Sequence, residues 1–132
     1  MPSRDPADLS RLLSDKAAAD EAALERLYGA SEVPDEVIGF HAQQAVEKRI
    51  KAVLAGREIA FERTHNIAYL VGLLSDGEIP APPESEALAE LSPWAAQFRY
   101  DDVADEIADR ARIRTLVHGV REWCEGLLGA SG

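Results

Sequence analysis

The sequence predicts an all-α protein, an up-down helical bundle of four main helices plus one short helix. Apolar residues recur at helical spacing along most of the chain, and no stretch alternates with the period of a strand. Leu, Ala and Glu are abundant while aromatics make up 6% of residues, which favours helices over sheets. Helix start and stop signals divide the chain into segments joined by short links, the pattern of antiparallel neighbours.

Asp5-Pro6 opens the first helix, with Asp as cap and Pro at the first helical position. Leu9, Leu12, Leu13, Leu24 and Leu27 form its apolar stripe to about Tyr28, and Gly29 stops it. Pro34-Asp35 opens the second, which runs to Leu54 and ends at Gly56. Thr64 is expected to cap a third helix from His65 to about Ser75, where Ile67, Leu70, Val71 and Leu74 share a face and Asp76-Gly77 ends it. After a Pro-rich link, Glu84 to Leu91 reads as the short helix. Ser92 to Asp102 reads as irregular. The last helix is expected from about Val103 to Leu128, with Ile113, Val117, Val120, Cys124 and Leu127 within about 40° of one direction.

A chain of 132 residues fits a single domain, residues 1–132 with a core at about 5–128. Its 46% hydrophobic content supplies that core. No apolar run approaches the ~18 residues of a membrane span. MPSRDPADLS has no apolar centre after its basic residue and does not read as a secretory signal. Cys124 is the only cysteine, which excludes an internal disulfide and fits a cytoplasmic location. The histidines lack zinc-ligand spacing, so neither a metal nor a cofactor is expected. A net charge of −10 argues against a general nucleic-acid coat protein. The charge is uneven, however: Glu78 to Asp109 holds nine acidic residues and a single basic one, Arg99. The balance reverses around Lys48, Arg49, Lys51, Arg57 and Arg63, so a locally basic site for a phosphate-bearing ligand remains open.

Three constellations could carry chemistry. In the second helix His41, Gln44, Lys48 and Lys51 fall in one quadrant of the wheel, beside Phe40, Gln43, Val46, Ile50 and Leu54 on the side a core would take. Lys offers phosphate a point charge, and Gln offers an amide for a base edge or ribose hydroxyl. The same row could be a solvated face, or could hydrogen-bond across a dimer interface. In the last helix Arg110, Arg114 and His118 follow at i, i+4 and i+8, with Arg121 on the same side. His as proton shuttle and Arg as phosphate clamp are what metal-independent RNA cleavage requires. The alternative is a solvated edge paired with Asp109, Glu122 and Glu125. The third is Phe98-Arg99-Tyr100, where Arg99 either pairs with its acidic neighbours or helps Tyr100 line a ligand cleft.

FHAQQAVEKRIKAVL, then Thr64-His65-Asn66, then Phe98-Arg99-Tyr100, taken in that order, resemble the HEPN family (higher eukaryotes and prokaryotes nucleotide-binding). The resemblance covers about Leu9 to Leu127. Asp101 stands where Pro often follows the Arg-Tyr pair in that family. The resemblance implies a compact helical bundle that commonly forms a homodimer. It also implies frequent association with a minimal nucleotidyltransferase in a toxin–antitoxin-like pair. Many HEPN proteins are metal-independent endoribonucleases with an Arg-x(4–6)-His motif, and Arg112 and His118 fit that spacing as the catalytic candidates. Arg114 and His118 do not, having three residues between them. The branch with FxAQQAxEK and Arg-Tyr motifs is instead taken to bind nucleotide or to serve the transferase, which makes His41, Gln44, Lys48, Lys51, Arg99 and Tyr100 the ligand-binding candidates. A purely structural dimerisation module is the further alternative.

Overall fold

A computed structural model of the chain describes residues 5–91 and 110–129. Among them are five helices and no strand: α1 (Pro6–Leu27), α2 (Asp35–Gly56), α3 (Ile67–Asp76), α4 (Ser85–Ala89) and α5 (Arg110–Gly129). No described helix is long and apolar enough to cross a membrane. The expected start at Val103 and the whole Ser92–Asp102 link lie outside the described residues.

The helix ends follow local chemistry. The Asp5 side chain accepts from the Ala7 amide at 3.0 Å, and Pro6 takes the first helical position, where a missing N–H costs nothing. At α3 the cap is Asn66 rather than Thr64. Asn66 Oδ1 accepts from the Tyr69 amide at 3.2 Å, while Thr64 Oγ1 accepts from the Asn66 amide at 3.0 Å. Of two cap-competent residues flanking His65, the later one reaches the helix donor, so His65 stands outside the helix. Glycine does not supply the left-handed residue at the ends of α2 and α3; Glu58 and Glu78 do, each at φ 58°. The amides of Ile59 and Ile79 then bond back to Leu54 and Leu74, both at 2.9 Å, closing a Schellman turn with an apolar pair across it. Gly56 sits in close quarters: a Cβ there would lie 3.1 Å from the Leu128 side chain and 3.3 Å from Ser10 Oγ, so these neighbours would have to shift by a few tenths of an ångström.

The core is centred on α2, which packs against α1, α3 and α5, while α3 also packs against α4. Contacts pairing Ser10 with Ala52 and Glu25 with Arg114 show that α1 runs antiparallel to both α2 and α5. Ala42, Ala45, Val46, Ile50, Ala52, Val53 and Leu54 of α2 are all fully buried. The alanines let neighbouring helices approach closely, and the branched residues fill the space between them. Ile113, Val117, Val120 and Cys124 of α5 close the core as their spacing predicts, with Leu127 packed at its edge.

Candidate functional site

α2 is covered over most of its circumference, and its polar residues sort by what covers them. At about 100° per residue, its buried positions sweep an arc that leaves one side open. That side carries Val37, Phe40, His41, Gln44, Lys48 and Lys51. The quadrant marked by His41, Gln44, Lys48 and Lys51 is therefore the least covered one, with all four residues partly buried. Phe40, expected on the core side, belongs to the open side as well, with 55% of its surface exposed. It sits at the edge of the apolar arc, and no other described helix reaches over it. Its ring meets His41 edge-on, with centroids 5.6 Å apart.

The open side is not a row of free cations. His41 Nδ1 donates to Asp20 Oδ1 at 3.1 Å, and Lys48 Nζ donates to Asp20 Oδ2 at 2.8 Å. One carboxylate of α1 thus gathers two residues that stand two turns apart on α2. The Asp20 side chain is 15% exposed. His41 Nε2 keeps no partner among the described residues. Lys51 turns to a second hub, donating to Glu47 Oε1 at 2.7 Å and to the Thr64 carbonyl at 2.9 Å. His65 Nδ1 meets the same Glu47 carboxylate at 3.0 and 3.1 Å. The fully buried Gln43 also donates to Glu47, and its own carbonyl accepts from Gln44 at 3.0 Å. Glu47 is buried, so these donors supply what water no longer can. Lys51 belongs to this internal network more than to the open side.

A third carboxylate, the second from α1, lies inside the bundle. Glu21 accepts two bonds from Arg49, at 2.8 and 2.7 Å, in a pair whose side chains are 7% and 5% exposed. Burial alone would push the Arg49 guanidinium towards losing its proton, but the bonds to Glu21 more than reverse this. Arg49 also points at Cys124 Sγ at 3.9 Å. Burial pushes that thiol up, so it is held protonated and inert.

On α5 the basic line divides. Arg110 leaves it to bind Asp35 at 2.9 Å and the carbonyls of Leu27, Tyr28, Ala30 and Val33 at 3.1, 3.2, 3.0 and 2.6 Å, stapling the α1–α2 link. Arg114 and His118 share Glu25, with Arg114 Nη2 at 3.0 Å and His118 Nε2 at 3.1 Å. The hydrogen bond from Arg114, then that from His118, holds the Glu25 carboxyl below its ordinary value. Arg121 lies 3.5 Å from Glu125 and 3.9 Å from Glu21. Arg112 bonds Glu84, beside α4, at 3.0 Å. The two residues that fit the Arg-x(4–6)-His spacing therefore engage carboxylates on different elements. Beside the Glu25 cluster the Tyr28 hydroxyl is buried without a hydrogen-bond partner among the described residues, and burial pushes its pKa up to about 12.

Among the described residues no His, Cys, Asp and Glu group could hold a metal ion. A family model, described as HEPN domain, matches residues 10–127. The chain belongs to the HEPN domain family. No curated protein and no solved structure gives a significant match to it.

In this HEPN domain, the sequence motifs occupy definite positions. FHAQQAVEKRIKAVL is the central helix, and its EKR triplet makes three separate tertiary bonds, Glu47 to His65, Lys48 to Asp20 and Arg49 to Glu21. Thr64-His65-Asn66 places a cap and a partner for Glu47. Arg99 and Tyr100 lie outside the described residues. The residues that sequence reasoning missed are the acids Asp20, Glu21, Glu25 and Glu47. The available signal was the run of acids Asp20, Glu21 and Glu25, which turn through about 140° around α1 opposite helices rich in Lys and Arg.

Proposed function

We propose that this HEPN-domain chain binds a nucleotide through the open side of α2. It does so as a cytoplasmic homodimer of single-domain chains, paired with a minimal nucleotidyltransferase in a toxin–antitoxin-like system. The carrying observation is the grouping of the exposed Phe40 with the partly buried His41, Gln44 and Lys48 on the least covered arc of a helix otherwise committed to the core. Each supplies a different part of nucleotide recognition. The exposed Phe40 ring is a stacking surface for a base. The Gln44 amide suits a base edge or ribose hydroxyl, and Lys48 with His41 suits phosphate. The family resemblance adds Arg99 and Tyr100 to this set. Lys51, bonded to Glu47, contributes by holding the helix surface in place.

Calorimetric titration with ATP tests the proposal. Lys48→Ala is expected to weaken binding about tenfold, the scale of one lost charge-assisted hydrogen bond, and Phe40→Ala to weaken it comparably. Arg114→Ala is expected to bind as the wild type does. A wild-type chain that gives no heat with any nucleotide, alone or with its transferase, overturns the proposal.

A second reading draws on the Glu25 cluster. An imidazole oriented by a carboxylate, with a guanidinium on the same carboxylate, has the parts of a metal-independent endoribonuclease: His118 would move the proton and Arg114 would bind the phosphate. Arg112, committed to Glu84, fits this role less well than Arg114. RNA cleavage that survives EDTA and disappears in His118→Ala would establish this reading; cleavage unchanged in that variant would exclude it.

A further inference from the structure

We propose that the Asp20 carboxylate holds the place of the ligand's phosphate on the open side of α2, so that an incoming polyphosphate takes His41 and Lys48 from it. This rests on the nucleotide-binding reading above and names what that site selects.

The geometry points to it in two ways. His41 Nδ1 and Lys48 Nζ aim at the two oxygens of one anion, at 3.1 and 2.8 Å, from positions seven residues apart. A tetrahedral phosphate presents oxygens at comparable separation and can accept both bonds. All three side chains are only partly buried, at 15 to 29% exposure. Ligand can therefore reach the place, while the reduced solvent strengthens whatever charge sits there.

Charge counting decides what can displace Asp20. Lys48 and Asp20 cancel, and the chain as a whole carries −10, so the closed site offers an anion no net attraction. A nucleoside without phosphate cannot satisfy His41 and Lys48, and a singly charged group gains nothing over a tethered carboxylate. A terminal phosphate with more than one charge and several acceptor oxygens does gain. The site thereby selects nucleotides that carry a terminal phosphate over nucleosides and singly charged phosphodiesters, and Asp20 sets their threshold concentration.

The test is calorimetric titration of the full chain with ATP, pyrophosphate and adenosine, comparing wild type with Asp20→Asn. Removing the competing charge is expected to tighten ATP and pyrophosphate by about tenfold and to leave adenosine unchanged. Asp20→Ser, which also removes the charge, is expected to do the same. In the wild-type chain, the Asp20 carboxyl resonance is expected to shift when pyrophosphate is added, because the carboxylate loses its two donors. That readout needs no variant to fold. Wild-type binding of ATP with equal or weaker binding by both variants, or an unmoved Asp20 resonance at saturation, overturns the inference and leaves the α2 site standing. No heat from wild type or variants removes the α2 site and the inference with it.

Discussion

Asp20 and Glu25 do the same thing at different depths. Each is a carboxylate of α1 that holds a histidine and a second cation from a neighbouring helix, His41 with Lys48 on α2 and His118 with Arg114 on α5. Asp20 is 15% exposed and Glu25 is 44% exposed. Between them Glu21 points inward to Arg49 and is sealed from solvent. One helix thus carries three ion-pair environments, from dry to wet. Depth, not residue type, determines what each does. The buried pair fixes the helices, the exposed one adds little to stability and keeps its groups free for chemistry, and the half-buried one can both hold and let go.

Breaking the innermost pair gives the largest effect. Glu21→Ala strands the Arg49 charge and is expected to cost about 3–5 kcal/mol in urea unfolding. A loss below 1 kcal/mol would mean that water reaches Arg49 and that depth does not rank these pairs. The buried Tyr28 hydroxyl sharpens the comparison from the alkaline side. Its pKa is raised above the ordinary 10 to about 12, so its contribution is fully present below pH 10 and lost as pH rises through 12. Stability is expected to fall across that window by up to about 2 kcal/mol, with part of the effect screened by solvent. Tyr28→Phe should remove that share of the fall, followed by thermal melts at stepped pH.

The half-buried clasp comes next. Lys48→Ala is expected to cost about 1–2 kcal/mol, the scale of a hydrogen bond to a charged partner, measured by the same unfolding series. The exposed clasp gives least. Glu25→Gln should change stability by less than about 1 kcal/mol, an effect that salt erases. The Glu25 carboxyl lies below its ordinary 4.5, so its small contribution is present above pH 4.5 and is lost as pH falls through the lowered value. Equal losses for Lys48→Ala and Glu25→Gln would collapse the distinction between the two clasps.

Much of the fold was legible because helix ends are local chemistry. Asp5-Pro6, Pro34-Asp35 and Gly56 mark helix ends within a residue or so of where α1 and α2 begin or stop. The apolar line of α5 is the line that enters the core. Local reasoning failed where two local signals competed, as with Thr64 and Asn66. It failed again where a left-handed glutamate did what glycine was expected to do.

The candidate site was half legible. Its quadrant on α2 could be read from periodicity, because the wheel sets which residues share a side. Phe40 was misplaced because its coverage depends on where other helices lie. The pairing of His41 and Lys48 with Asp20 could not be read from α2 at all. It depends on the register of α1 against α2, which no single-helix pattern contains.

Amide chemical-shift mapping of the chain during ATP titration tests the central claim most directly, because it reports both candidate surfaces in one experiment. The account predicts saturable shifts at Phe40, His41, Gln44 and Lys48, with Asp20 moving alongside them and Arg114 to His118 still. Shifts confined to Arg114, His118 and Glu25, with the α2 residues unmoved, would contradict it.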